Sequence, residues 1–185
     1  VDNTNADNQC CEQTYIDRYT MTHNTKMIEP TKKNLDHQIA TGRVDYWWWI
    51  DAIQMAMPVY AKYTQLTGDR RYLDYAMKSY RDIRDRRGLF NVAEGFWWRD
   101  SVYKAPYKEP DGKNCYWSRG NGWVYAALVR VMRTLKPTDP YFVELEKDYL
   151  LMSHALKKVQ RPDGFWNASL VSTNYAGPEM TGTAL

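Results

Sequence analysis

The chain holds three cysteines, three histidines and no long apolar run, and each shortage closes off a class of function. Cys10 and Cys11 are adjacent and Cys115 lies far from both. That pattern gives no even disulfide framework and no Cys/His spacing suited to zinc. Buried free thiols are the expected state of all three. His23, His37 and His154 are scattered, and His154 falls in the middle of an expected helix, so core or surface is expected for them and not a ligand role. No metal or organic cofactor is called for. No stretch reaches the ~18 apolar residues of a membrane span. Like charges never run to a block of five, and the net charge of +3 with an isoelectric point near 8.6 is spread along the chain. Nucleic acid and membrane surfaces are therefore poor partners. Ser-His-Asp order, a phosphate loop and a dinucleotide fingerprint are all missing.

Aromatic residues are abundant instead, with eight tryptophans and fifteen tyrosines in 185 residues. This density fits a very aromatic core or an aromatic-lined groove. It peaks in Asp45-Tyr46-Trp47-Trp48-Trp49-Ile50-Asp51-Ala52. Successive helical residues point about 100° apart, so three large rings in a row cannot all face one core, and at least one is expected to face a cavity or a ligand. Asp51 opens an expected helix from Ile50 to Leu66. Two effects compete there. The helix dipole favours its charged form and lowers its pKa. Burial among indoles, or a second carboxylate nearby, raises it toward the range of a working acid/base. Position alone leaves both open.

The pattern along the chain is helical. Expected helices cover roughly Gln9–Met21, with Asp7-Asn8 as cap, and Thr31–Ala40, with Pro30 in its first turn and Gly42 at its end. The Ile50–Leu66 helix carries Pro58 inside it, where a kink is expected. Others cover Arg70–Arg87, Asn121–Leu135 and Tyr141–Gln160. In the Arg70–Arg87 helix, Leu73, Ala76, Met77, Tyr80 and Ile83 share one face. Short turns alternate with longer aromatic loops, as repeated αα-hairpins require, and the end of the stack that carries the long loops is expected to carry the site. The connection from Leu89 to Gly120 is long enough to suggest function, and its tryptophans and tyrosines argue against disorder.

Three more clusters stand out. Asp7 opens the first helix as Asp51 opens the third, and in a ring of hairpins equivalent helix ends meet at one mouth; a plain helix cap is the simpler alternative. Arg119, in Tyr116-Trp117-Ser118-Arg119-Gly120-Asn121-Gly122-Trp123, could grip a carboxylate with both arms of its guanidinium or could clasp an indole. Trp97-Trp98-Arg99-Asp100 reads as an internal salt bridge rather than a catalytic pair.

Trp48-Trp49-Ile50-Asp51-Ala52, the Tyr116–Trp123 stretch, Gln160-Arg161-Pro162-Asp163-Gly164-Phe165-Trp166 and Thr181-Gly182-Thr183-Ala184 together resemble the unsaturated rhamnogalacturonyl hydrolases of glycoside hydrolase family 105, related to the unsaturated glucuronyl hydrolases of family 88. The likeness covers nearly the whole chain. It implies an all-α fold, the (α/α)6 barrel of six hairpins. Residues 1–185 would form a single partial domain with six helices and the start of a seventh, about half a barrel. The polar opening Val1-Asp2-Asn3-Thr4, with no leader visible, and the stop at Ala184-Leu185 suggest that both ends are cut or continue.

The resemblance also implies a reaction. These enzymes hydrate the 4,5 double bond of an unsaturated uronic acid at the non-reducing end of an oligosaccharide left by a lyase. They do not attack the anomeric carbon, so the two-carboxylate spacing rules of ordinary glycosidases do not apply. Asp51 corresponds to the general acid/base and Asp7 to the second acid, which tunes it or orients water. Arg119 falls on a substrate-contacting arginine and Trp123 on a ring for the sugar. Trp48 and Trp117 are assigned to the same sugar-binding surface. Related enzymes place a histidine after the fourth helix; Glu94–Asp100 has none, and Trp98 or Arg99 is expected in its place. The expected partner is an oligosaccharide. Oligomeric state and compartment, cytoplasm or periplasm, stay open. The alternatives are a noncatalytic glycan-binding toroid and another toroid carbohydrate enzyme.

Overall fold

The computed structural model describes residues 4–185. Its helices are α1 (Ala6–Gln9), α2 (Glu12–Thr22), α3 (Thr25–Thr41), α4 (Asp51–Thr67), α5 (Arg71–Arg81), α6 (Ser118–Met132), α7 (Pro140–Val159) and α8 (Met180–Ala184). A π-helical turn, Asp82–Arg86, extends α5. Two short strands, β1 (Phe90–Asn91) and β2 (Phe96–Trp97), pair antiparallel with Phe90 opposite Trp97. Among the described residues no helix is long and apolar enough to cross a membrane.

The helices form an inner row and an outer row. In the inner row α2 packs on α4, α4 on α6, and α6 on α8. Each of the first three also packs on the helix that follows it, so α3, α5 and α7 stand outside. α4 is wrapped on nearly all sides, with Ala52, Ile53, Ala56, Met57, Val59 and Tyr60 fully buried. A helix that is apolar all round needs neighbours all round. This is the αα-hairpin stack that the sequence pattern predicts. The helix runs through Pro58 without interruption.

Several boundaries differ from the sequence reading. The first predicted helix is two, because the chain turns at Cys10-Cys11 between α1 and α2. Its cap is not Asp7-Asn8: the Asn5 side chain accepts from the Asp7 N–H at 2.8 Å, which puts Asp7 in the first turn. Cys10 and Cys11 are exposed and Cys115 is half-buried, against the expectation of buried thiols. α3 starts six residues before its predicted start, because Asn24 accepts from the Lys26 N–H at 3.1 Å and sets the N-terminus there. Pro30 then lies inside the helix, past the first turn, where it costs one backbone bond. α6 begins at Ser118 rather than Asn121, so Arg119 sits in its first turn. Glycines at 120 and 122 suggest loop, but there they serve close packing. Gly42 and Gly68 stop α3 and α4 in the left-handed conformation that glycine adopts freely.

The short turns between α2 and α3, α4 and α5, and α6 and α7 lie at one end of the stack. The segments 42–50, 87–117 and 160–179 lie at the other. The N-terminal ends of α4, α6 and α8 therefore open onto the same loop-rich face.

Candidate active site

Asp51 is the first residue of α4 and is 8% exposed. Its Oδ2 is buried without a hydrogen-bond partner among the described residues. Burial pushes its carboxyl up from the usual aspartate range. Its own backbone N–H, Arg119 and Arg99 pull the other way, and Asp7 adds to the rise as a like charge. Of the two effects weighed from sequence, desolvation prevails over the helix terminus.

The charged groups that act on Asp51 come from three elements. Arg119, in the first turn of α6, is exposed and stacks over the Trp117 ring at 4.4 Å. Among the described residues no carboxylate lies within ion-pair distance of it, so its charge is available. Trp123, half-buried, is four residues further on and so on the same helical face. Asp7 is exposed at the start of α1. Arg99 arrives on the loop after β2. The Ile50 N–H donates to its carbonyl at 3.0 Å, and Trp49 bridges to Asp100, which pins this loop beside the start of α4. Arg99 makes the predicted salt bridge, with Nε donating to Asp100 Oδ2 at 2.7 Å, and lies over the Tyr103 ring at 4.9 Å. Asp100 also caps the turn that follows by accepting from the Val102 N–H at 2.8 Å.

The three consecutive tryptophans separate as their number requires. Trp47 is 1% exposed and packs near Tyr60, Trp49 is half-buried, and Trp48 is 50% exposed with its ring 4.6 Å from that of Trp49. Trp98 is half-buried on Tyr116, ring centres 5.5 Å apart, and its Nε1 has no partner among the described residues. Trp117 and Arg119 share a cavity of about 350 Å³ with Arg99, Tyr103, Glu109 and Ser169.

The model of Glycosyl Hydrolase Family 88 matches residues 1–185. The chain belongs to glycosyl hydrolase family 88. It is 36% identical over 141 residues to an unsaturated 3S-rhamnoglycuronyl hydrolase of Alteromonas sp. (strain LOR), which covers 74% of this chain and 33% of that protein. Among solved structures it is similar to a glycosyl hydrolase family 88 protein from Bacteroides vulgatus, with a TM-score of 0.93 and 34% identity over 98% of this chain and 52% of the other. A structure titled polysaccharide lyase BACCELL_00875 gives a TM-score of 0.91 and 34% identity over 97% of this chain and 51% of the other. The chain thus spans about a third of the curated relative and half of each solved chain. Family 88 is the one that the sequence resemblance gave as the relation of family 105.

Two residues of this family 88 chain escaped the sequence reading. Asn121, fully buried, accepts from the Trp97 N–H at 2.8 Å and donates to the Trp97 and Trp117 carbonyls at 3.0 and 2.9 Å, which ties β2 to the start of α6. An amide between two glycines at a helix start was the available signal. Glu109 is a buried carboxylate in the cavity wall, and nothing in its surrounding sequence marks it.

Proposed function

We propose that Asp51 is the proton-transfer group of a hydrolase that hydrates the 4,5 double bond of an unsaturated uronic acid linked to rhamnose. The observation that carries the reading is the Asp51 carboxyl: buried, raised in pKa, with one oxygen unpartnered and two guanidiniums acting on it. In its protonated form it delivers a proton to C4 of the vinyl ether. Water adds its oxygen at C5 and returns its proton to the Asp51 carboxylate. The hemiketal so formed opens to a keto acid and frees the remaining sugar. A positioned group of this kind contributes about 10²–10⁴-fold to the rate. Burial keeps the acid's pKa raised and Asp7 adds to the rise, and Arg119 holds the uronate carboxylate while Trp123, Trp117, Trp48 and Trp98 supply rings for the sugars. The name of the Alteromonas relative supports rhamnose as the neighbouring sugar, and the fragments of rhamnogalacturonan are one source of such a linkage.

The test follows the double bond. The native protein is expected to remove the ultraviolet absorbance of an unsaturated uronyl-rhamnose disaccharide, and Asp51→Asn to abolish this with the fold intact. Full activity in D51N would remove Asp51 from the mechanism. Saturable binding without turnover would favour a glycan-binding toroid.

A further inference from the structure

The cavity of about 350 Å³ beside Arg119 contains a feature that the proton transfer at Asp51 does not use. Glu109 is 5% exposed, and among the described residues no arginine, lysine or histidine lies within ion-pair distance of it. Neither of its oxygens is sealed in the interior, so the carboxylate is open to the cavity. The group it does meet is the Cys115 thiol. Burial, then the hydrogen bond to Glu109, pushes that thiol up to about 12, so it stays protonated and acts as a weak donor. One weak donor leaves most of the carboxylate's acceptor capacity unused.

Three segments frame the cavity, and each is fixed. Residues 99–103 are held by the Ile50–Arg99 backbone bond and the Asp100 cap. The 109–113 turn closes on itself through the Glu109 N–H and the Lys113 carbonyl at 2.8 Å. The 168–173 segment is tied to the start of α6, with Ser118 donating to Ala168 at 2.9 Å and Leu170 to Tyr116 at 2.8 Å. It is joined to the 109–113 turn, where the Ser172 hydroxyl and the Thr173 N–H both donate to Asp111 Oδ2 at 3.0 Å. The walls are the faces and edges of Tyr103, Trp117 and Tyr175. The volume lies within the roughly 300–1,000 Å³ of small-molecule sites. A rigid, aromatic-walled chamber with an acceptor in its wall is suited to a sugar ring, whose faces are apolar and whose rim carries O–H donors.

We propose that this cavity seats the sugar on the far side of the scissile bond, and that Glu109 selects it by accepting hydrogen bonds from its hydroxyls. The inference rests on the reading of Asp51 above, because Arg119 and Arg99 belong both to the cavity wall and to the surroundings of that acid. The leaving sugar therefore presents free hydroxyls to Glu109.

Two substrates separate this from the chemistry: the unsaturated uronyl-rhamnose disaccharide and the methyl glycoside of the same uronate. Glu109→Gln is expected to raise KM for the disaccharide about ten-fold, the loss that goes with one hydrogen bond to a charged group, with kcat within about two-fold. The methyl glycoside, which has no second sugar, is expected to be turned over unchanged. The melting temperature is expected to hold, because the amide keeps the shape of the carboxylate. Equal losses on both substrates, or no change on the disaccharide, would overturn the assignment. If E109Q does not fold, Tyr175→Ala, at an exposed residue of the same wall, is expected to give the same split, and its absence there overturns the proposal. An unsubstituted protein that turns over neither substrate ends the reading of Asp51 and this one with it. Turnover of both with no split in the variants ends only this one.

Discussion

Gly120 and Ile50 meet where the N-terminal ends of α6 and α4 cross. A Cβ on Gly120 would lie 2.9 Å from Cδ1 of Ile50 and 2.7 Å from Cε3 of Trp117. Ile50 is the residue before Asp51, and Trp117 carries the Arg119 guanidinium on its ring. Both contacts are with side chains, so an added methyl forces these two apart rather than breaking backbone. Overpacking of this kind costs typically about 1–3 kcal/mol. Gly120→Ala is therefore expected to lower the melting temperature by several degrees and to reduce kcat/KM more than that stability loss accounts for, because it widens the separation of Asp51 and Arg119. Thermal denaturation and steady-state kinetics on one preparation check it; unchanged kinetics in a folded G120A protein would mean that the spacing is immaterial.

Asp51→Asn separates catalysis from stability. The folded-state pKa of Asp51 is raised, so the stability tied to this group is present below its unfolded pKa and is lost as pH rises through the folded value. At neutral pH its charged form works against the fold. An uncharged amide of the same shape lacks that penalty, so D51N is expected to melt no lower than the native protein at pH 7 while kcat falls about 10²–10⁴-fold. A lower melting temperature together with modest loss of rate would point to a structural Asp51.

Much of this was legible before any coordinates, for identifiable reasons. The helices at Ile50–Leu66 and Tyr141–Gln160 match α4 and α7 to within a residue at each end, because apolar spacing and flanking Gly or Pro mark their limits without competition. The Arg99–Asp100 salt bridge was readable because the two residues are adjacent. What escaped depends on side chains that act at a distance. Asn24 sets the start of α3 although Pro30 is the louder local signal, and Asn5 rather than Asp7 caps α1. In both places the capping asparagine lies upstream of the residue taken as the start, and its role is decided by backbone geometry and not by composition. Arg99 reads as spent on Asp100, yet its place beside the α4 start follows from a backbone bond to Ile50 that no pattern announces. Glu109 became visible only when its burial and its cavity were known.

The charges around Asp51 give a signed prediction for pH dependence. Its protonated form is the donor, so kcat/KM is expected to fall as pH rises through its raised pKa. Asp7 raises that pKa as a like charge, and Asp7→Asn is expected to move the falling limb to lower pH. Arg99 lowers it, and Arg99→Gln is expected to move the limb to higher pH, provided that Asp51 is the titrating group. Opposite displacements of one limb are hard to obtain from general damage to the site. Profiles of the three proteins over the same buffers check it; a limb that stays in place in both variants would assign it to another residue.

Asn121 tests whether the loop that carries Trp98 and Arg99 is held for function. Its amide satisfies the N–H and C=O of Trp97 and the C=O of Trp117, all on or beside the wall of the site. Asn121→Ala leaves these backbone groups without their partner in the interior, and each buried group so orphaned costs about 1–3 kcal/mol. The buried Trp97 N–H loses the acceptor it has in Asn121, whereas carbonyls tolerate loss better, so a total of about 3 kcal/mol is expected in urea denaturation. Asn121→Asp keeps the acceptor for Trp97 N–H but sets a carboxylate against two carbonyls, so it is expected to be no better than alanine and to recover as pH falls. If the amide also positions Arg99, both variants lose kcat/KM on the small methyl glycoside as well as on the disaccharide, since Arg99 acts on Asp51 itself. Loss confined to the disaccharide would instead place the effect in the cavity of Glu109, and full activity in a destabilised protein would reduce Asn121 to a fastening of the fold.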